Sequence, residues 1–228
     1  PTLCLPTAFI GAMALVLVPK LSQSVALGRM DEVRRRIHKT LLATSVLVMP
    51  ALAILVVLGP TIGVLLFREA TVGRYMVPLS LGVLLSCYQS VLSGVLSGIG
   101  PQPPPARSSL LCGAVQLGCT WALMGLPGVG LRGYVAGFVL SSALGALLNY
   151  REAARHTGLR PRLFQWCTAP ALSALLMGLV VNLLFRILLD AGMDGAPACL
   201  ACILFGGVLY LTALSAQGVR PSQLFRLK

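Results

Sequence analysis

The chain has 228 residues, 57% of them hydrophobic and 11% charged, with a mean hydropathy of +0.87. Soluble domains carry about 25% charged residues, so a water-soluble globular fold is excluded and an all-α polytopic membrane protein is expected. The net charge of +12 would suggest nucleic acid in a soluble chain. Here the charges lie between apolar runs, where membrane topology explains them, and no nucleic-acid partner is expected.

The apolar runs are long enough for α-helices to cross about 30 Å of hydrocarbon, and they predict about seven transmembrane helices. The first, 1–19, opens on Pro1 without the charged leader and cleavage site of a signal peptide. A piece of a longer protein, entered part way through a membrane domain, is therefore expected. The connector "PKLSQSVALGRMDEVRRRIHKT" then places Lys20, Arg29, Arg34, Arg35, Arg36 and Lys39 together. Met30, Val33, Ile37 and Leu41 recur at helical spacing, and Asp31 with Arg35 and Glu32 with Arg36 stand four apart in the order that supports a helix. Two readings remain open. One is an amphipathic helix along the inner headgroups, with Arg34, Arg35, Arg36 and Lys39 against anionic lipid. The other is a solvated helical loop that only sets topology.

The second span, 41–67, carries Thr44, Ser45, Pro50 and Pro60; the third, 76–98, carries Pro78, Gln89, Ser90 and Ser93. "GIGPQPPPARS" separates the third from the fourth, 108–127, which holds Gln116 and Thr120. The turn "LPGVGLRG" leads to the fifth, 131–150, in which Gly133, Gly137, Ser141, Gly145 and Asn149 draw one small-residue stripe. Gly94 and Gly98 do the same in the third span. Such stripes let helix backbones approach closely, either as static packing or as a seam that permits rocking. The sixth span, 166–189, contains Pro170, Asn182 and Arg186 and is followed by Asp190; "LDAGMDGAP" leads to the seventh, 196–215, and a basic tail.

Counting basic residues on alternate sides of these spans fixes an expected orientation. One side has Lys20, Arg29, Arg34, Arg35, Arg36, Lys39, Arg107, Arg151, Arg155, Arg160, Arg162, Arg220, Arg226 and Lys228; the other has Arg68, Arg74, Arg132 and Arg186. The positive side marks the cytoplasm, so a multi-pass protein of the cytoplasmic membrane with its C-terminus inside is expected.

Candidate site residues are few. Gln89, Ser93 and Gln116 lie at membrane depth, where polar groups face protein or a wet cavity. They serve either helix-to-helix hydrogen bonding or the lining of a substrate cavity. Asn182 and Arg186, one turn apart, approach the opposite face, where Arg186 is expected to snorkel to headgroups. The cysteines all lie in or beside apolar segments; "CLAC" (Cys199 to Cys202) has metal or redox spacing but no second pair or nearby His. No cofactor, metal or catalytic residue is expected, and the chain does not read as an enzyme.

The stretch "LVPKLSQSVALGRMDEVRRRIHKTLLATSVLVMPALAILVVLGPTIGVLLF" resembles the multidrug/oligosaccharidyl-lipid/polysaccharide exporter superfamily, and within it the stage V sporulation protein B branch of oligosaccharide flippases. The residues carrying the likeness are Pro19, Ser22, Ser24, Ala26, Gly28, Arg29, Thr44, Pro50, Pro60 and Phe67, with "VLSGIG", "GLRGYVAGFVLSSALGALLNY" and "TGLRPRLFQW" further on. The resemblance implies a 14-helix flippase fold, of which this chain is the C-terminal bundle plus two extra helices. Residues 1–150 would then be five spans of that six-helix bundle, 151–165 a cytoplasmic connector, and 166–228 the two additional spans and tail. It also implies a lipid-tail groove beside Asn182 and Arg186, contact of Arg186 with a lipid phosphate, and as partners membrane lipid, a lipid-linked glycan and the missing N-terminal bundle. The function it implies is export of a lipid-linked oligosaccharide or peptidoglycan precursor by alternating access, in cell-wall synthesis or sporulation. The alternatives are a drug/cation antiporter of the same superfamily, a membrane-embedded enzyme of envelope synthesis, or a scaffold.

Overall fold

A computed structural model of the chain describes residues 21–68, 70–99, 104–124, 130–158 and 163–217. The expected first span and the basic tail lie outside the described residues, as do 100–103, 125–129 and 159–162. Among the described residues the regular structure is α-helical: α1 (Met30–Phe67), α2 (Ala70–Ile99), α3 (Pro104–Met124), α4 (Leu131–Thr157), α5 (Leu163–Asp190) and α6 (Gly195–Ala216). Five of these are long and apolar enough to cross a membrane, and α3 is apolar over the shorter stretch Ser109–Leu123. The protein is an all-α polytopic membrane protein.

The helix starts and stops follow local chemistry. Residues 21–26 form a short helical segment closed by Gly28, whose φ of 67° lies in the left-handed region that glycine adopts without steric cost. A β-carbon there would meet nothing within 4 Å, so the backbone angle and not crowding calls for glycine. Asp31 and Glu32 in the first turn of α1 suit the positive end of its dipole. With 38 residues, α1 extends about 57 Å at 1.5 Å per residue, far beyond about 30 Å of hydrocarbon. Its charged turns from Asp31 to Lys39 are the excess length. They continue into the apolar part of the helix without a break, so the basic segment and the span share one continuous helix.

The helices gather into two compact units. One contains the described residues up to Thr44 and those of Leu81–Arg162; the other contains Ser45–Ser80 and those of Leu163–Lys228. The expected block 1–150 thus contributes to both. In the first unit α4 is central. Gly82, Ser86 and Gln89 of α2 meet Phe138, Ser142 and Gly145 of α4 at a constant offset, so these helices run parallel. Leu123, Cys119 and Gln116 of α3 meet Gly133, Gly137 and Ser141 in reverse order, so α3 returns the chain between them. That is the alternation expected of successive membrane crossings.

In the second unit the latter part of α1 runs parallel to α5, with Ala53 and Val57 beside Gly178. It runs antiparallel to α6, through Val46 to Tyr210 and Thr61 to Gly195. The core holds Leu58, Met177, Val181, Phe185, Cys199, Cys202 and Leu214. Cys199 and Cys202 are buried, unoxidised packing residues. The start of α2 folds back on α1 at Gly73, where an added β-carbon would come 2.5 Å from the Cα of Pro60. Backbone cannot move aside as a side chain can, so this contact admits glycine alone. Gly73→Ala is therefore expected to destabilise the protein by about 1–3 kcal/mol, read as a lowered thermal midpoint in detergent. Gly118→Ala, which meets nothing within 4 Å, is expected to leave that midpoint unchanged.

Candidate functional site

The inward face of α4 is built from Gly133, Gly137, Ser141, Ser142, Gly145, Asn149, Ala153 and Thr157, whereas Leu140 and Leu147 are exposed. This inverts the pattern of a soluble helix. In lipid an exposed leucine costs nothing, and attraction between helices comes from close backbone approach and weak polar contacts. A β-carbon at Gly133 would sit 2.7 Å from the Leu123 side chain and 3.0 Å from its backbone, and one at Gly137 3.1 Å from Cys119. The small-residue stripe is occupied along its length.

Gln89 and Gln116 come to this stripe from different helices, one turn apart. The Gln116 Oε1 accepts a hydrogen bond from the Ser141 hydroxyl at 3.4 Å. The Gln89 amide lies over Gly145, where a β-carbon would fall within 2.5 Å of it, and its main-chain carbonyl accepts from Asn149 Nδ2 at 3.2 Å. Ser86 and Ser142 share a hydrogen bond of 2.9 Å beside them. Ser93, one turn beyond Gln89 on α2, is half-buried, and its carbonyl accepts from Ser97 at 3.0 Å. Together they make a seam of amides and hydroxyls that contains no carboxylate. It can donate to and accept from hydroxyl groups, and it supplies no acid or base. The serine pair and the Asn149 bond were not foreseen. Their signal was the alignment of Ser142 and Asn149 with α2, which only the parallel pairing of α2 and α4 reveals.

The basic residues collect at one end of the same unit. Arg34 Nε donates to the Thr157 carbonyl at 2.6 Å, joining the start of α1 to the end of α4. That carbonyl belongs to the last turn of α4, where acceptors lack helical partners and the dipole attracts cations. Gly158, at φ 63°, closes the helix through its N–H to the Ala154 carbonyl at 2.8 Å, and the guanidinium stands 3.0 Å from where its β-carbon would be. Asp31 pairs with Arg34 at 3.4 Å rather than with the expected Arg35, which donates instead to the Asp31 carbonyl at 3.3 Å. The expected Glu32–Arg36 pair is present at 2.7 Å. That hydrogen bond holds the Glu32 carboxyl below its ordinary range. The Asp31–Arg34 pair is exposed and contributes little to stability, while the Glu32–Arg36 pair is half-buried. What they leave is excess positive charge: Arg29, Arg34, Arg35, Arg36, Lys39, Arg151 and Arg155 against Asp31, Glu32 and Glu152.

Asn182 and Arg186 belong to the other unit. Both are exposed on α5, on the side away from Met177, Val181 and Phe185, and no core contact engages them. Among the described residues, no three His, Cys, Asp or Glu side chains gather as a metal site.

Comparison with models of known protein families gave no match, and neither did comparison with curated protein sequences.

The Arg34 contact makes two linked predictions. Gly158→Ala forces a left-handed angle on a β-carbon and crowds the guanidinium, and is expected to cost about 1–2 kcal/mol. Arg34→Gln leaves the α4 terminus without its cation and is expected to lower the thermal midpoint as well. With Arg34 already removed, Gly158→Ala should cost less than it does alone, because the crowding is gone and only the backbone strain remains.

Proposed function

We propose that this chain is the C-terminal part of a flippase. It would move a lipid-linked oligosaccharide or peptidoglycan precursor across the cytoplasmic membrane by alternating access. The observation that carries the proposal is the uncharged polar seam, in which Gln89 and Gln116 present amides at adjacent turns of α4 within otherwise apolar helices. Amides and hydroxyls suit the hydroxyl-rich head of a glycolipid. A drug/cation antiporter would instead call for a carboxylate at membrane depth, and the described acidic side chains, Asp31, Glu32, Glu152, Asp190 and Asp194, stand at or near helix ends. An enzyme of envelope synthesis would call for carboxylates gathered about a reacting group.

The resemblance in the connector and in α4 supports the same reading and supplies its direction. The basic end of the first unit would lie at the cytoplasmic headgroups, where anionic precursor is made. Close small-residue contacts of the kind made along α4 are the packing that alternating access would draw on. The parts of the cavity contributed by residues outside this chain would complete the site.

The test is made in the full-length protein. Depletion is expected to accumulate lipid-linked precursor in the inner leaflet. Replacing both glutamines, as Gln89→Leu with Gln116→Leu, is expected to slow precursor flipping about tenfold, the effect of losing one to two hydrogen bonds, while the protein still inserts in the membrane. Altered drug efflux with normal precursor turnover would favour the antiporter instead.

A further inference from the structure

Four prolines lie beyond the first turn of the described helices: Pro50 and Pro60 in α1, Pro78 in α2 and Pro170 in α5. Each lacks the N–H that would bond to the carbonyl four residues earlier, so each frees one acceptor within an apolar segment. For Pro50 that acceptor is the Val46 carbonyl. In hydrocarbon a freed carbonyl has no water to turn to, and neighbouring helices must satisfy it.

The Tyr210 hydroxyl of α6 donates to this same Val46 carbonyl at 3.0 Å. Tyr210 is 3% exposed and sits in the core of the second unit among otherwise apolar side chains. We propose that Tyr210 latches a proline hinge in α1, its hydroxyl replacing the amide hydrogen that Pro50 lacks.

Three further features place a hinge here. Thr40 and Thr44 turn their hydroxyls back to the carbonyls of Arg36 and Thr40, each at 2.9 Å. Back-bonding of this kind loosens and bends a helix. It occurs in the two turns immediately before the freed carbonyl, so weakening from side chains and from proline falls on consecutive turns. The chain also passes from one compact unit to the other between Thr44 and Ser45, directly before Val46. Its second passage, between Ser80 and Leu81 in α2, lies two residues after Pro78. Both helices that belong to two units therefore carry a proline near the crossing. With Tyr210 bonded, α1 has a full complement of hydrogen bonds at Val46. With the bond broken, the acceptor is orphaned and the turn from Val46 to Pro50 is free to bend.

The experiment is a double-mutant cycle in the full-length protein in nanodiscs, using Tyr210→Phe and Pro50→Ala. Alanine at 50 restores the N–H that the Val46 carbonyl lacks, so the latch becomes redundant. Tyr210→Phe alone is expected to raise hydrogen exchange of the α1 peptide around Val46 to Pro50 about fivefold and to lower the thermal midpoint. In the Pro50→Ala background the same substitution is expected to change neither appreciably. Equal effects of Tyr210→Phe in both backgrounds, or none in either, would overturn the latch. Should Tyr210→Phe alone fail to fold, recovery of folded protein by adding Pro50→Ala supports the latch, and failure to recover it counts against it.

Discussion

Everything in this molecule follows from the need to satisfy backbone hydrogen bonds where water is absent. A chain with so few charges and such long apolar runs enters hydrocarbon, and there each peptide group must find its partner within the protein. Helices meet that demand locally, which is why helix is the only regular structure among the described residues. The informative places are those where the demand is not met locally. Beyond the hydrocarbon, at the end of α4, the last turn leaves carbonyls without helical partners, and that of Thr157 takes its hydrogen bond from Arg34. At Pro50 the Val46 carbonyl takes its own from Tyr210. Both are tertiary solutions to a gap in a helix, and both tie α1 to another helix.

The same absence of water removes the hydrophobic drive from packing between helices. Helix α4 shows the consequence, with its leucines outward and its glycines, serines and asparagine inward. Close approach at Gly133 and Gly137 and hydrogen bonds at Ser141, Ser142 and Asn149 hold it to its neighbours. This leaves a polar strip inside an apolar assembly. The strip serves packing, and the functional proposal assigns its Gln89 and Gln116 a second role in recognition.

Hydropathy made the helices legible and their ends less so. It marks the part of a helix that lies in hydrocarbon. Thus α4, whose span was expected to end at 150, continues to Thr157, and the helical connector expected from Met30 runs on into the span expected from 41 as one helix. Those extra turns are framed by an N-terminal acidic turn and the Gly158 cap, neither of which alters a hydropathy average. The Glu32–Arg36 pair could be read from spacing, whereas Asp31 turned to Arg34 because Arg34 is already fixed by the end of α4. The small-residue stripe was visible, but its occupants were not, since nothing in a local pattern tells which helix runs beside it. Tyr210 was overlooked for the same reason. A lone tyrosine in an apolar run and a proline far earlier in the chain become one feature only when α1 and α6 are placed antiparallel.

The central proposal is that the helices thread the bilayer in alternation, with the arginine-rich start of α1 on the cytoplasmic side as the bias of basic residues implies. Cysteine labelling tests it most directly, with Arg35→Cys and, separately, Arg68→Cys placed in a full-length protein otherwise free of cysteine. A membrane-impermeant thiol reagent applied to intact cells is predicted to label position 68 and to reach position 35 only after permeabilisation. Labelling of position 35 in intact cells, or of both positions from the same side, would contradict the account.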